Sequence, residues 1–206
     1  MFPKLRKGQA LRYTPFVRKK RRPIRGAAPI LNTKKNANND KSKTNHHHKP
    51  NVIANFRKPN IHLNLRDAIN KDLELTYRIK TNSIKMYVER IWTWNKKTQR
   101  KIHETNFMAS KTKIIIHDLR EVGYLVLKET FDEIYIENLL IDNEFQNLGI
   151  GKTIMKEIIE RATSEKKLIY LQVFKINIKA IKFYRNLGFE KTSEMENHVG
   201  MKKKWL

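Results

Sequence analysis

No cysteine occurs among the 206 residues, which rules out disulfides, thiolate metal sites and a cysteine nucleophile. Acid is nearly as scarce in the first quarter, where residues 1–50 set 15 Lys and Arg against Asp40 alone. Long apolar runs are missing as well. None approaches the roughly 20 residues that a membrane helix needs, and no secretory apolar segment follows Met1. The expectation is a chain with no membrane span that works in the cytoplasm.

What is present divides the chain in two. The net charge is +24, from 44 basic and 20 acidic residues, and residues 1–50 supply +14 of it. The remaining 156 residues carry 29 basic and 19 acidic side chains. Residues 1–55 read as a basic tail, polar and low in complexity, without enough apolar surface to offset the entropy of ordering. Four roles fit that composition: an arm for nucleic acid or another polyanion, a nuclear import signal, an organelle presequence, or a solvated tail. His46, His47 and His48 stand side by side, so they cannot converge on one tetrahedral ion without further ligands. His103-Glu104 begins a metalloprotease pattern that Phe107 ends, since the second histidine is missing. No metal site is expected.

Residues 56–206 carry the periodicities of a folded domain. Ile61, Leu63 and Leu65 alternate with polar residues as in a strand. Apolar spacing over 72–94 predicts a helix broken near Thr81-Asn82, and a polar helix through Lys101 follows. Strands are expected at 113–117, 121–128 and 133–141, then a helix from the glycines to about residue 162. "KKLIYLQVF" is a nearly continuous apolar strand of the buried kind. A helix over 178–187 and two closing strands, 189–196 and 198–205, complete the order. The pattern predicts an α/β fold with a mixed sheet and one parallel crossover in its second half.

Between the third strand of that meander and the next helix lies "DNEFQNLGIGKT". A triphosphate-binding loop needs a glycine five residues before Gly151, where Gln146 stands, and a dinucleotide fingerprint needs one at Ile154. Both fail. Two readings remain for Gly149 and Gly151: backbone N–H groups brought close to an anion at a helix start, or a tight strand-to-helix turn with glycines for packing.

"QNLGIG" directly after a strand resembles the (Q/R)xxGxG motif of the GNAT superfamily of N-acetyltransferases. Further on, "LQVFKINIKAIKFYRNLGF" places Asn177, Ala180, Phe183-Tyr184 and Leu187-Gly188-Phe189 in an arrangement similar to a second motif of that family. The likeness covers about residues 60–206 and leaves the tail outside. It implies a mostly antiparallel twisted sheet with a splayed parallel strand pair and flanking helices, and acetyl-CoA lying in the gap.

In that resemblance the backbone at Leu139 and Ile141 faces the acetyl carbonyl and the pantetheine amides. The N–H groups of Gln146, Asn147, Leu148, Gly149, Ile150, Gly151 and Lys152 take the pyrophosphate, and Asn177 is a cofactor-side asparagine. Transfer to an amine needs a base to accept a proton and an acid for the departing thiolate. Tyr184 is similar to the family's acid; its other reading is a packed aromatic. Glu137 is the candidate base, placed by strand alternation on the face of Tyr135, Leu139 and Ile141; its other reading is a half-exposed strand glutamate. Trp94 is assigned to the acceptor side and Trp92 to the core. Relatives read near W-G-W-D-E here, whereas this chain has Thr93, Asn95 and Lys96 in place of the glycine and the two acids.

The function implied is an acetyl-CoA-dependent N-acetyltransferase acting on a primary amine, as a monomer or homodimer. The alternative is a protein of the same fold that binds nucleic acid or ribosomes with little catalysis.

Overall fold

A computed structural model describes residues 62–205, all within the compact unit Pro59–Leu206. The readings made for residues 1–55, their histidines included, lie outside the described residues. Along the described chain run β1 (Leu63–Asp67), α1 (Leu73–Ile91), α2 (Lys96–Asn106), β2 (Thr112–His117), β3 (Arg120–Glu129), β4 (Glu133–Ile141), α3 (Ile150–Ser164), β5 (Leu168–Phe174), α4 (Ile178–Asn186), β6 (Glu190–Glu194) and β7 (His198–Lys203).

The strands form one sheet in the order β1-β2-β3-β4-β5-β7-β6. Only β4 and β5 run parallel, and every other pair is antiparallel. This is the mixed sheet with one parallel pair that the sequence pattern predicts, and the mostly antiparallel arrangement that the resemblance implies. β7 enters between β5 and β6, so β7 lies inside the sheet and β6 at its edge.

Two apolar clusters sit on opposite faces of the sheet. The larger is built from Ile154, Met155 and Ile158 of α3, Ile181 and Tyr184 of α4, and the inward residues of the strands, among them Ile134, Ile136, Ile169, Leu171 and Val173. The smaller lies under α1 and gathers Ile79, Ile114 and Tyr124 around Ala68. Each fully buried large side chain of this kind stabilises the fold by roughly 1.5–3 kcal/mol. Alternation along β5 follows from this: Ile169, Leu171 and Val173 face α3 and α4, leaving Tyr170, Gln172 and Phe174 on the α1 face.

Helix α1 is continuous, which corrects the break expected near Thr81-Asn82. The polar run there does not end the helix because its side chains are used elsewhere. Thr81 Oγ1 donates back to the Tyr77 carbonyl at 2.9 Å, Ser83 is buried, and Asn82 reaches across to β4. Helix α2 begins at an Asn95 cap, whose side chain accepts the Thr98 N–H at 2.9 Å.

Candidate acetyl-transfer site

The parallel pairing of β4 and β5 stops after Ile136 and Leu171. Beyond that point the strands are no longer hydrogen-bonded to each other. The cause lies on the other edge of β4. Val126 pairs with Asn138 and Leu127 with Ile136, so Glu137 has no partner on β3 and forms a bulge. A bulge adds one residue to one strand and bends it, and this one sits where β4 leaves β5.

The bulge also overturns the alternation expected for Glu137. Ile134 and Ile136 face the larger core, and after the extra residue Leu139 and Ile141 face it again. Glu137 turns to the other face, where its carboxylate lies 2.9 Å from Lys128 Nζ. Its charge there, together with full burial, raises the pKa of the Tyr124 phenol; burial is the larger cause. Glu137 therefore does not share a face with Leu139 and Ile141.

Past the bulge, Asp142 N–H donates to the Val122 carbonyl at 2.8 Å. Antiparallel alternation then turns the main-chain groups of Leu140 toward β3 and those of Leu139 and Ile141 toward the gap. The Ile141 carbonyl already accepts two side chains, Gln146 Nε2 at 2.9 Å and Ser83 Oγ at 2.8 Å. With that carbonyl occupied, the Leu139 backbone and the Ile141 N–H are the groups that face the gap.

The loop between β4 and α3 is held from three sides. Asn82 Nδ2 donates to the buried Asp142 carboxylate at 3.0 and 3.2 Å. Asn143 Nδ2 returns to the Asn82 carbonyl, and Gln146 Nε2 also donates to Asn143 Oδ1 at 2.9 Å. These clamps on Asn82, Ser83, Asn143 and Asp142 were not foreseen from sequence; the polar run inside an amphipathic helix was their one visible trace.

With the loop fixed, the chain turns through Asn147 at φ 65° and Gly149 at φ 85° into α3. Among the described residues, the N–H groups of Asn147, Leu148, Gly149, Ile150, Gly151 and Lys152 donate to no protein acceptor; the first bond into the helix comes from Thr153 to the Gly149 carbonyl, 3.0 Å. Six consecutive free donors at the positive end of a helix dipole favour an anion. The two glycines do different things. Gly149 takes a left-handed conformation that side-chain-bearing residues avoid. At Gly151 a Cβ would lie 3.3 Å from Ile141 Cδ1 and 3.7 Å from Phe183 Cζ, so this glycine lets α3 pack against β4 and α4.

On α4, Asn177 caps the helix through Oδ1, which accepts the Ala180 N–H at 3.0 Å, and its amide nitrogen has no partner among the described residues. Tyr184 lies in the larger core between Phe183 and Phe189, with ring centroids 5.0 and 5.6 Å away. Burial raises its pKa to about 12. Its hydroxyl donates to no group among the described residues, yet none of their sealed side-chain oxygens or nitrogens lacks a partner. The hydroxyl is therefore not fully sealed.

Trp94 lines a cleft of about 430 Å³ between α1 and α2, with Tyr77, Thr81, Lys85, Glu89 and Lys96. Trp92 is not core: 41% of it is exposed, and its ring meets Phe174 at the end of β5. Trp92 thus leaves the core place expected of it and reaches the rim of the gap, while Trp94 faces the α1–α2 cleft. Among the described residues, no cluster of His, Asp and Glu could hold a metal ion, and no helix is long and apolar enough to cross a membrane.

The model of the acetyltransferase (GNAT) family matches residues 71–189. Spermine/spermidine N(1)-acetyltransferase of Bacillus subtilis (strain 168) is 32% identical over 65 residues, 31% of this chain and 43% of that protein. The ribosomal protein bS18-alanine N-acetyltransferase of Salmonella typhimurium is 28% identical over 82 residues, 39% of this chain and 55% of that protein. The chain thus spans about half the length of the curated relatives it matches. The crystal structure of PaiA N-acetyltransferase from Thermoplasma acidophilum, in complex with coenzyme A, is similar in fold with a TM-score of 0.59 at 18% identity, over 69% of this chain and 99% of that one.

Proposed function

The chain belongs to the GNAT acetyltransferase family, and we propose that it moves the acetyl group of acetyl-CoA to a primary amine by direct attack on the thioester. The observation that carries this reading is the row of free N–H groups from Asn147 to Lys152 beside strands that part after Ile136 and Leu171. A pyrophosphate suits the row, and an extended amide chain suits the unpaired edge of β4. Acetyl-CoA supplies an activated acyl group.

In this reading the Leu139 backbone and the Ile141 N–H hold the pantetheine, and an N–H aimed at the acetyl oxygen stabilises the charge that develops there. Gln146 serves from behind, by fixing Ile141 and Asn143 rather than by touching the ligand. The Asn177 amide and Lys152 add contacts at the cofactor. Tyr184, kept protonated by its burial, gives a proton to the leaving thiolate. Glu137 is the carboxylate closest along β4 to the gap and, from the α1 face, accepts a proton from the incoming amine through water. Trp94 sits farther out, in the α1–α2 cleft.

Calorimetric titration of acetyl-CoA into the full chain tests the reading, with mass spectrometry of an amine acceptor after incubation. Micromolar binding and an added acetyl group are expected. A folded chain that binds no acetyl-CoA at millimolar concentration would falsify it.

A further inference from the structure

Phe174 ends β5 after that strand has parted from β4. It pairs in register with His198 of β7, and the two ring centroids lie 4.5 Å apart. The Trp92 ring meets Phe174 edge-on at 6.3 Å, and Tyr87 of α1 stacks on it at 6.4 Å. Four rings from separate parts of the chain thus form one apolar wall. It is not core: Trp92 is exposed, and Phe174, Tyr87 and His198 are half-buried. Alternation puts the wall on the α1 face of the gap, opposite α3 and its loop. Whatever the wall receives approaches the gap from the side that the cofactor loop leaves open.

The chain on either side of Trp92 has charge of one sign to spare. Arg90, Lys96 and Lys97 flank Trp92 in the chain, are exposed, and have no ion-pair partner among the described residues. Lys96 and Lys97 open α2, whose first turn holds no acid. A helix prefers the opposite arrangement, since its N-terminal end is already positive. Local helix stability therefore does not account for them. The neighbouring acids are mostly spent: Glu89 lies 3.5 Å from Lys85, Glu137 faces Lys128, and Glu194 is shared by Lys175 and Lys191. Glu196, in the turn before β7, has no ion-pair partner among the described residues.

We infer that the acceptor is an amine carried by an acidic peptide. An apolar side chain next to that amine seats against Trp92, Phe174 and His198, and carboxylates farther along the peptide meet Arg90, Lys96 and Lys97. A polycationic small amine would meet the same three charges as repulsion. This assignment rests on the acetyl-transfer reading above and names its acceptor class.

The experiment uses the full chain and two peptides that share an apolar residue beside a free N-terminal amine. One continues with aspartates and the other with lysines; spermine is the third acceptor. Affinity is read by titration and kcat/KM by release of free thiol. The aspartate peptide is expected to bind at least about tenfold more tightly than the lysine peptide, with the difference falling in KM. In the double variant Lys96→Glu, Lys97→Glu that preference narrows or reverses, although the basic tail is unchanged. Trp92→Ala weakens both peptides while their ratio stays. Equal affinity for the two peptides, preference for spermine, or a ratio unmoved by the charge reversal overturns the assignment. Acetyl-CoA titrations on the same samples separate the two readings, because loss of acetyl-CoA binding sinks the transfer reaction, whereas retained binding without a peptide preference sinks the acceptor alone.

Discussion

Ser83 Oγ donates to the carbonyl of Ile141 at 2.8 Å, joining the middle of α1 to the last residue of β4. The same hydroxyl lies 2.7 Å from the Ile79 carbonyl inside the helix. With Asn82 on the Asp142 carboxylate, it ties the loop before α3 to an element 58 residues earlier. The free N–H groups of the loop depend on α1 for their position, although α1 touches none of them in the reading proposed.

Removing that tie is expected to loosen the loop before it unfolds the domain. Ser83→Ala leaves the half-buried Ile141 carbonyl with one donor fewer, at about 1 kcal/mol, and Asn82→Ala leaves the buried Asp142 carboxylate short of its charged-group hydrogen bonds, at roughly 1.5–3 kcal/mol. Acetyl-CoA affinity should fall about threefold to tenfold in each, with kcat less affected. Calorimetry beside urea melts would show this, and full affinity in a destabilised Asn82→Ala variant would mean that the loop holds itself.

The two glycines should respond differently to alanine. Gly149→Ala forces a left-handed residue at about 1–2 kcal/mol, and the turn can escape only by moving the donors. At Gly151 the obstacles are the tips of two side chains, Ile141 Cδ1 and Phe183 Cζ, which can shift by a few tenths of an ångström. Gly149→Ala is therefore expected to cost more in both melting temperature and acetyl-CoA affinity than Gly151→Ala. The opposite order would show that close approach at Gly151, rather than the turn at Gly149, makes the site.

Much of this arrangement is legible in the sequence, and the failures share a cause. The apolar run of β5, the alternation of β1 and the glycine turn into α3 are local patterns, and each element lies where its pattern puts it. Glu137 was placed on the wrong face because the bulge is set by the register of β4 against Val126 and Leu127 of β3, and a single strand's alternation carries no trace of its partner's. Thr81-Asn82 read as a break because polar side chains in mid-helix are read against local alternatives, whereas these two and Ser83 bond back to the helix or across to the end of β4. Trp92 and Trp94 are two residues apart, and only the position of Phe174 decides which of them reaches the gap.

Tyr184→Phe isolates the proposed acid. The ring keeps its edge contacts with Phe183 and Phe189, so stability should change little, and only the hydroxyl is lost. A drop in kcat of about 10²-fold with unaltered acetyl-CoA affinity is expected. With its pKa raised to about 12 by burial, the wild-type phenol remains protonated throughout the accessible alkaline range. An unchanged kcat in the variant would return Tyr184 to the role of a packed aromatic.

His103 supplies the last prediction, one of pH and stability rather than chemistry. Its Nε2 lies 3.0 Å from Thr76 Oγ1, between α1 and α2, with Tyr77 and Phe107 against the ring. Burial first, and then the charge of Lys80, lower its pKa from 6.5 to about 4. The folded state thus holds the ring neutral at pH values where the unfolded chain has already bound a proton. Stability is complete above about pH 6.5 and is lost as the pH falls toward 4, since the unfolded state takes up the extra proton. At pH 5 the loss amounts to about 2 kcal/mol, from the ratio of the two protonation equilibria. Urea melts at pH 7.5 and pH 5 should differ by that amount in the wild type and by much less in His103→Asn. An equal pH response in both proteins would assign the acid sensitivity to the carboxylates, of which Asp72, held below its ordinary pKa chiefly by Arg66, is the most buried of those that are shifted.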